Sequence, residues 1–297
     1  METSRNQSKY TSDEEIGVFF DVLGVRGIEN LEDIERLSES IHDSLNLVRP
    51  PFLMEDVPVS QFSLARTWQF SDNIFLLSAL PEHEGRTGLN AEGAIESDVF
   101  QLFQSVSFFF VNMLLKGYLL RGGIAMGNAA FSTRTVLGTA LNNSYAIESS
   151  GNVAGGGVGV DWKVVNFLSK WARSSEYSKS DYLASLNKWM VTTHNQPAPG
   201  NATPESNPDF TVHLNYFSPE VRNELTSREV EEIIENLERQ ARSSRGDTKT
   251  YNKWIWTAAL LYFSLEPKHA HALFSKFDKV DLTHIENVSR GINPFEF

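Results

Sequence analysis

Apolar positions along this chain change their spacing from segment to segment. Residues 16–22 (IGVFFDV) form a short apolar run followed at once by the turn-former Gly24, which predicts a buried strand. Over residues 30–47, Leu31, Ile34, Leu37, Ile41 and Leu45 recur every three or four positions, as on a helix, and Arg49-Pro50-Pro51 stops it. Residues 63–80 (SLARTWQFSDNIFLLSAL) hold two β-rich runs around Ser71-Asp72-Asn73, which has hairpin-turn chemistry. Residues 82–93 are polar and contain glycine, and read as a loop. Residues 97–117 predict a long helix with Val99, Phe103, Val106, Phe110 and Met113 on one stripe, buried against a sheet. Residues 119–131 (LLRGGIAMGNAAF) and the segment around Val136 read as strands, and residues 138–149 as a second amphipathic helix. The order βαββαββα predicts an α+β, ferredoxin-like core with helices on a largely antiparallel sheet.

After Gly151 the character changes. The run GGGVG at residues 155–159 leads into a helix over residues 162–173. Residues 196–208 (QPAPGNATPESNP) are a loop or linker by composition. Residues 229–242 and 253–263 predict two more helices. The expected organisation is a polar tail (1–15), a core domain (16–160) and a mainly helical extension (161–297). No internal repeat is present.

Composition narrows the class. The 297 residues suffice for one substantial core with an appendage or for two modest domains. Hydrophobic residues at 41% and charged residues at 22% are ordinary for a globular chain. The absence of cysteine excludes disulfides, thiolate metal sites and a cysteine nucleophile, and fits a reducing compartment. The first fifteen residues lack the apolar stretch of a signal peptide. The most apolar segment, residues 108–115, falls short of the about 20 residues a membrane helix needs, so a cytoplasmic location without membrane binding is expected. A net charge of −12 argues against a surface built for nucleic acid, which needs a basic footprint. It leaves room for a nucleoside triphosphate held through Mg²⁺ or Mn²⁺ on carboxylates.

Two aspartates stand where such chemistry would sit. Asp21 ends the first strand before a tight turn, and Asp72 sits at the hairpin tip. In a βαββαβ sheet these elements are neighbours, so the two carboxylates could hold a pair of divalent ions, one activating a sugar hydroxyl and one neutralising phosphate charge. The turn Leu23-Gly24-Val25 can offer backbone N–H groups to phosphate oxygens. A plainer reading has Asp21 capping a turn and Asp72 closing an Asx-turn.

FFDVLGVRG, WQFSDNIFLL, LRGGIAMGNAAF and VLGTALNNSYAIE resemble, in order and spacing, the motifs of class III nucleotidyl cyclases, over residues 16–149. The resemblance implies that Asp21 and Asp72 bind two metals. It also implies that Asn142, in Gly138-Thr139-Ala140-Leu141-Asn142, lies near ribose and phosphates. Within that class the chain looks most like the Pycsar antiphage pyrimidine cyclases. FSDN replaces the GD of adenylate cyclases, Ala-Leu-x-x-Ser-Tyr-Ala-x-Glu replaces their Asn-x-Ala-x-Arg helix, and TYNKWIWTAALLYFSLE resembles the Lys- and Tyr-containing C-terminal helix of such proteins.

Departures from the class matter as much. Ala146 stands where class III enzymes keep a transition-state Arg, a loss of about 10²–10³-fold for a donor of this kind. Arg134 and Arg121 are the candidate replacements; Arg121 could equally be a strand residue paired with an acid. Trp68 and Thr135 occupy the places of the adenine-reading Lys–Asp pair, which disfavours ATP and suits a pyrimidine, although a strand Trp also packs cores. The resemblance thus implies a homodimer with shared sites that makes cyclic UMP from UTP, with CTP second, for a downstream cyclic-nucleotide effector. Its rivals are a catalytically silent cyclase-like protein and an adenylate or guanylate cyclase.

Other signals carry less. Residues 155–159 lack the Lys-Ser/Thr of a phosphate loop and read as a flexible turn. His269 and His271 have no nearby acid at ligand spacing. Trp254, Trp256, Leu260 and Phe263 form a packing stripe, and residues 229–238 a solvated acidic face. Asn287 opens an Asn-x-Ser/Thr site that carries no weight in a cytoplasmic protein.

Overall fold

In the computed structural model the described residues are 10–23, 30–47, 66–70, 72–78, 89–131, 135–150, 157–174, 188–194, 210–265 and 267–277. They fold as α+β around one open, mostly antiparallel sheet. The first half runs β1 (Tyr10–Leu23), α1 (Leu31–Leu47), β2 (Arg66–Phe70), β3 (Asn73–Ser78), α2 (Leu89–Leu115), β4 (Leu119–Phe131), β5 (Val136–Leu137) and α3 (Thr139–Ser149). Strands lie in the order β2-β3-β1-β4, the ferredoxin-like arrangement, with β5 hairpinned on β4.

Side-chain alternation along β1 explains why its apolar run is unbroken. Ile16, Val18, Phe20 and Val22 enter the main core, where Phe20 meets Phe109 and Phe110 of α2. Gly17, Phe19 and Asp21 face the other way, toward α3. There Phe19, Trp68, Phe75, Leu77, Ala129, Val136 and Ala140 make a second, smaller core. Both faces are covered, so the strand needs no polar alternation.

The second half is β6 (Val158–Val160), α4 (Trp162–Ser174), β7 (Met190–His194), β8 (Phe210–Leu214), α5 (Pro219–Glu224), α6 (Ser227–Ser243), α7 (Thr248–Ser264) and α8 (Pro267–Lys276). β6 runs parallel to β4, and β8 and β7 continue the same sheet.

Two expectations are corrected here. The turn expected at residues 155–159 becomes strand from Val158, because Gly157–Gly159 lie flat beside β4, with the Gly157 carbonyl accepting from Gly122 N–H at 3.0 Å. The loop expected to reach residue 93 is helix from Leu89. Within the mainly helical extension, β7 and β8 add a hairpin to the sheet.

α6 ties this half to the first. A capping box between Thr226 and Glu229 starts it. The buried Asn236 then donates to the Leu114 and Leu115 carbonyls at 3.1 and 2.9 Å, satisfying the end of α2. Glu231, Glu232 and Glu235 form the solvated face, and Trp254, Trp256 and Leu260 of α7 are core. Among the described residues no helix is long and apolar enough to cross a membrane.

Candidate functional site

Asp21 and Asp72 come together at one end of the sheet. Asp21 is the Cα partner of Asn73 on β3 and of Arg121 on β4. The next residue, Val22, donates its N–H to the Asp72 carbonyl at 3.3 Å. Partners in register share a face, so Asn73 and Arg121 flank Asp21 on the side covered by α3. Asn73 also donates from Nδ2 to Asp72 Oδ1 at 3.3 Å, which turns the hairpin carboxylate toward that corner. Both aspartates are half-buried.

α3 lies close on this face because β4 clears space for it. A Cβ on Gly123 would stand 2.1 Å from the Ser144 carbonyl, and one on Gly127 would stand 2.4 Å from Thr139 Oγ1. Asn128 and Thr139 exchange hydrogen bonds at 2.9 Å in both directions, pinning the start of the helix to the strand. The φ of +138° at Gly138 sets the entry angle, and its missing Cβ would fall 2.2 Å from the Asn128 carbonyl.

The spacing 140, 144, 148 turns Ala140, Ser144 and Glu148 inward. Glu148, with a side chain 3% exposed, receives both Nε and a terminal nitrogen of Arg121 on Oε1. Arg121 in turn stands 3.7 Å from Asp21 Oδ2. Burial pushes the Glu148 carboxyl up in pKa and the nearby Asp21 charge adds to this, while Arg121 opposes it. The result is a chain of charges, Asp21–Arg121–Glu148, running from the strand end into the protein. Of the two readings open for Arg121, the ion-paired strand residue is the arrangement present.

Beside this corner, with Asn73 in common, lies a groove of about 390 Å³ lined by Phe19, Phe70, Asn73, Val136, Leu141, Asn142 and Tyr145. Asn142 is exposed on the first turn of α3, and Tyr145, also exposed, meets Phe19 edge-on with ring centroids 5.3 Å apart. Trp68 is elsewhere: it is 6% exposed, packed on Phe75 in the second core, and Phe70 of the same strand reaches the groove instead. Thr135 is exposed directly before β5, beside the groove residue Val136. Leu23 pairs with Leu119 and packs on the main core. Gly24 and Arg134 lie outside the described residues.

The sequence reading missed four participants: Asn73, Tyr145, Glu148 and Lys253. Asn73, Tyr145 and Glu148 stand inside the quoted motifs, and the 140-144-148 spacing was the available signal for Glu148. Lys253 lies on α7, and its ammonium feels Asp21, Arg121, Asp247 and Glu148. It is the lysine of TYNKWIWTAALLYFSLE, the C-terminal segment quoted above, to which no site role was given.

The donor set suits hard divalent cations. Asp21 and Asp72 offer carboxylate oxygens from adjacent backbone positions, and Asn73 adds an amide. No cluster of three or more His, Cys, Asp or Glu is present among the described residues, so an ion here would complete its shell with ligand phosphates or water.

No protein-family model matches the chain, and no curated protein matches it. Among solved structures it is similar to the crystal structure of the catalytic core of a rhodopsin-guanylyl cyclase with converted specificity in complex with ATPαS. The two are 9% identical with a TM-score of 0.39, over 70% of this chain and 97% of that one.

Proposed function

We propose that the chain is a nucleotide cyclase that closes a nucleoside triphosphate into its 3′,5′-cyclic monophosphate and releases pyrophosphate. The observation that carries this is the meeting of Asp21, at the end of β1, with Asp72, in the turn of the adjoining hairpin, beside a groove that holds Asn142. These are the residues that the class III motifs single out. UTP is the preferred substrate and CTP the second, because Trp68 and Thr135 replace the Lys–Asp pair that reads adenine in the class, although Trp68 itself packs in the second core. By the same resemblance the product serves as a second messenger in antiphage defence, made in the cytoplasm and read by a cyclic-nucleotide effector. Residues 16–160 form the catalytic unit and residues 161–297 its extension.

In the reaction the ribose 3′-oxygen attacks the α-phosphorus, the new P–O bond closes the ring, and the bond to the β-phosphate breaks. Two Mn²⁺ or Mg²⁺ ions on Asp21 and Asp72 would activate the hydroxyl and neutralise phosphate charge. The groove supplies apolar walls for the base from Phe19, Phe70 and Tyr145. The Asn142 amide is available to hydrogen-bond ribose or phosphate, and Arg121 supplies a fixed positive charge 3.7 Å from Asp21. Backbone N–H groups at Leu23 and Gly24 would complete the phosphate cradle.

A catalytically silent cyclase-like protein is the second reading. Its specific support is that Ala146 is exposed where the class has its Arg, while Arg121 is committed to Glu148. Asp21→Asn and Asp72→Asn decide between them. Each should abolish cyclisation at saturating Mn²⁺ with the circular dichroism spectrum unchanged. Full activity in either variant removes the metal assignment.

A further inference from the structure

Where β1, β4 and α3 pack, one guanidinium stands between two acids, and it is held unequally. Asp21 and Arg121 are Cα partners across β1 and β4, and Arg121 shares a strand face with Gly123. A Cβ on Gly123 would stand 2.9 Å from the Glu148 backbone nitrogen, so the close seat of α3 on the strand also brings Glu148 to the Arg121 side chain. Glu148 accepts Nε and a terminal nitrogen of Arg121 on Oε1, whereas the same guanidinium stays 3.7 Å from Asp21 Oδ2. The buried acid therefore holds Arg121 closely, and the half-buried acid meets it only at longer range.

We propose that Glu148 is a positioning residue of this centre: by holding Arg121 it keeps the guanidinium from closing on Asp21, and so keeps the Asp21 carboxylate available to a divalent cation. This rests on the metal assignment of the cyclase reading. An arginine fork in contact with a carboxylate makes a strong, charge-assisted pair, and 3.7 Å is a small side-chain adjustment away from contact. With Glu148 present the Arg121 charge is balanced within the protein, and Asp21 and Asp72 keep the negative charge that attracts Mn²⁺ or Mg²⁺. With the Glu148 charge removed, the fork turns to Asp21, occupies the oxygens a cation needs and cancels their charge. Groups that stand one step behind a metal ligand are usually worth about tenfold to a hundredfold in metal affinity. A pair that served only to pack α3 would behave otherwise, because taking away Arg121 as well would then restore nothing.

The test titrates the full chain with Mn²⁺ alone and follows the paramagnetic resonance signal of the free ion, so that no cyclisation is required. The quantity read is the Mn²⁺ binding that Asp21→Asn or Asp72→Asn removes. Glu148→Gln keeps the shape and removes the charge, and should weaken that binding by about tenfold or more. The double variant Arg121→Met with Glu148→Gln should return to within about threefold of wild type, because the competing guanidinium is gone. Glu238→Gln, at an acid paired with Arg242 and Lys276, should bind as wild type does. Wild-type binding in Glu148→Gln overturns the proposal and leaves the metal assignment standing. A double variant as weak as Glu148→Gln overturns it too, since Glu148 would then act through packing. If Glu148→Gln does not fold, Glu148→Asp takes its place: it holds the carboxylate one methylene short of Arg121, and wild-type binding there overturns the proposal. Mn²⁺ binding that Asp21→Asn and Asp72→Asn leave unchanged removes both the metal assignment and the proposal. The expected pattern in a chain that forms no cyclic product would refute the cyclase reading and leave the role of Glu148 standing.

Discussion

Glu148 and Arg121 hold each other in an environment neither would occupy alone. Replacing Arg121 by leucine leaves a buried carboxylate without its guanidinium, a loss of about 3 kcal/mol at neutral pH, the low end for a broken buried pair since Arg121 keeps some solvent contact. The sign with pH follows from the proton count. Without Arg121 the folded-state pKa of Glu148 rises further above its ordinary 4.5, so the folded variant keeps a proton that the unfolded chain has lost. Stability of the variant therefore falls as pH rises through that window, and its deficit against wild type shrinks as pH drops toward 4.5. Urea unfolding at about pH 5 and about pH 7.5 measures this; equal deficits at both would contradict the ion chain. At this scale Asp21 and Asp72 stood out by a strand end and a turn, while Asn142 was singled out only through the resemblance. Glu148 left only its 140-144-148 spacing, because its partner Arg121 lies far along the chain.

The element on which the site depends most is α3, and its seat is made by what β4 lacks. Gly123 sits under the Ser144 carbonyl, so Gly123→Ala forces the helix away from the strand. Overpacking of this kind costs about 1–3 kcal/mol. It should also loosen the Glu148 contact with Arg121 and lower turnover beyond what the lost stability explains. Thermal unfolding and steady-state rates on one preparation check both effects; a variant with wild-type stability and rate would show that the close approach is not needed. The glycines of LRGGIAMGN are readable as strand from the sequence, but their purpose is visible only with α3 in place. β6 is hidden for a related reason. Its three residues sit in a glycine-rich run whose composition says turn, and only pairing with β4 and β8 makes it a strand. Trp68 shows the same dependence on context: alternation gave its strand, and the second core decided which aromatic packs and which, Phe70, reaches the groove.

Across the whole molecule, the ferredoxin-like half follows from hydrophobic period and turn chemistry alone, since each of its elements is long or sharply bounded. The far half does not, because β7 and β8 are five residues each and belong to the sheet through long-range pairing. That pairing, with α6 closing the end of α2, joins the extension to the first half. The resemblance to class III cyclases implies a homodimer in which Asp21 and Asp72 of one protomer would face Asn142 of its partner. If the sites are shared, mixing inactive Asp21→Asn with inactive Asn142→Ala should restore part of the activity, because the heterodimer keeps one intact site. No rescue after demonstrated subunit exchange would place each site within one chain. The central claim is more direct still: purified wild-type protein, incubated separately with UTP, CTP, ATP and GTP in Mn²⁺, should yield a 3′,5′-cyclic monophosphate and an equal amount of pyrophosphate, fastest from UTP and next from CTP. A folded protein that gives no cyclic product from any of the four would contradict it.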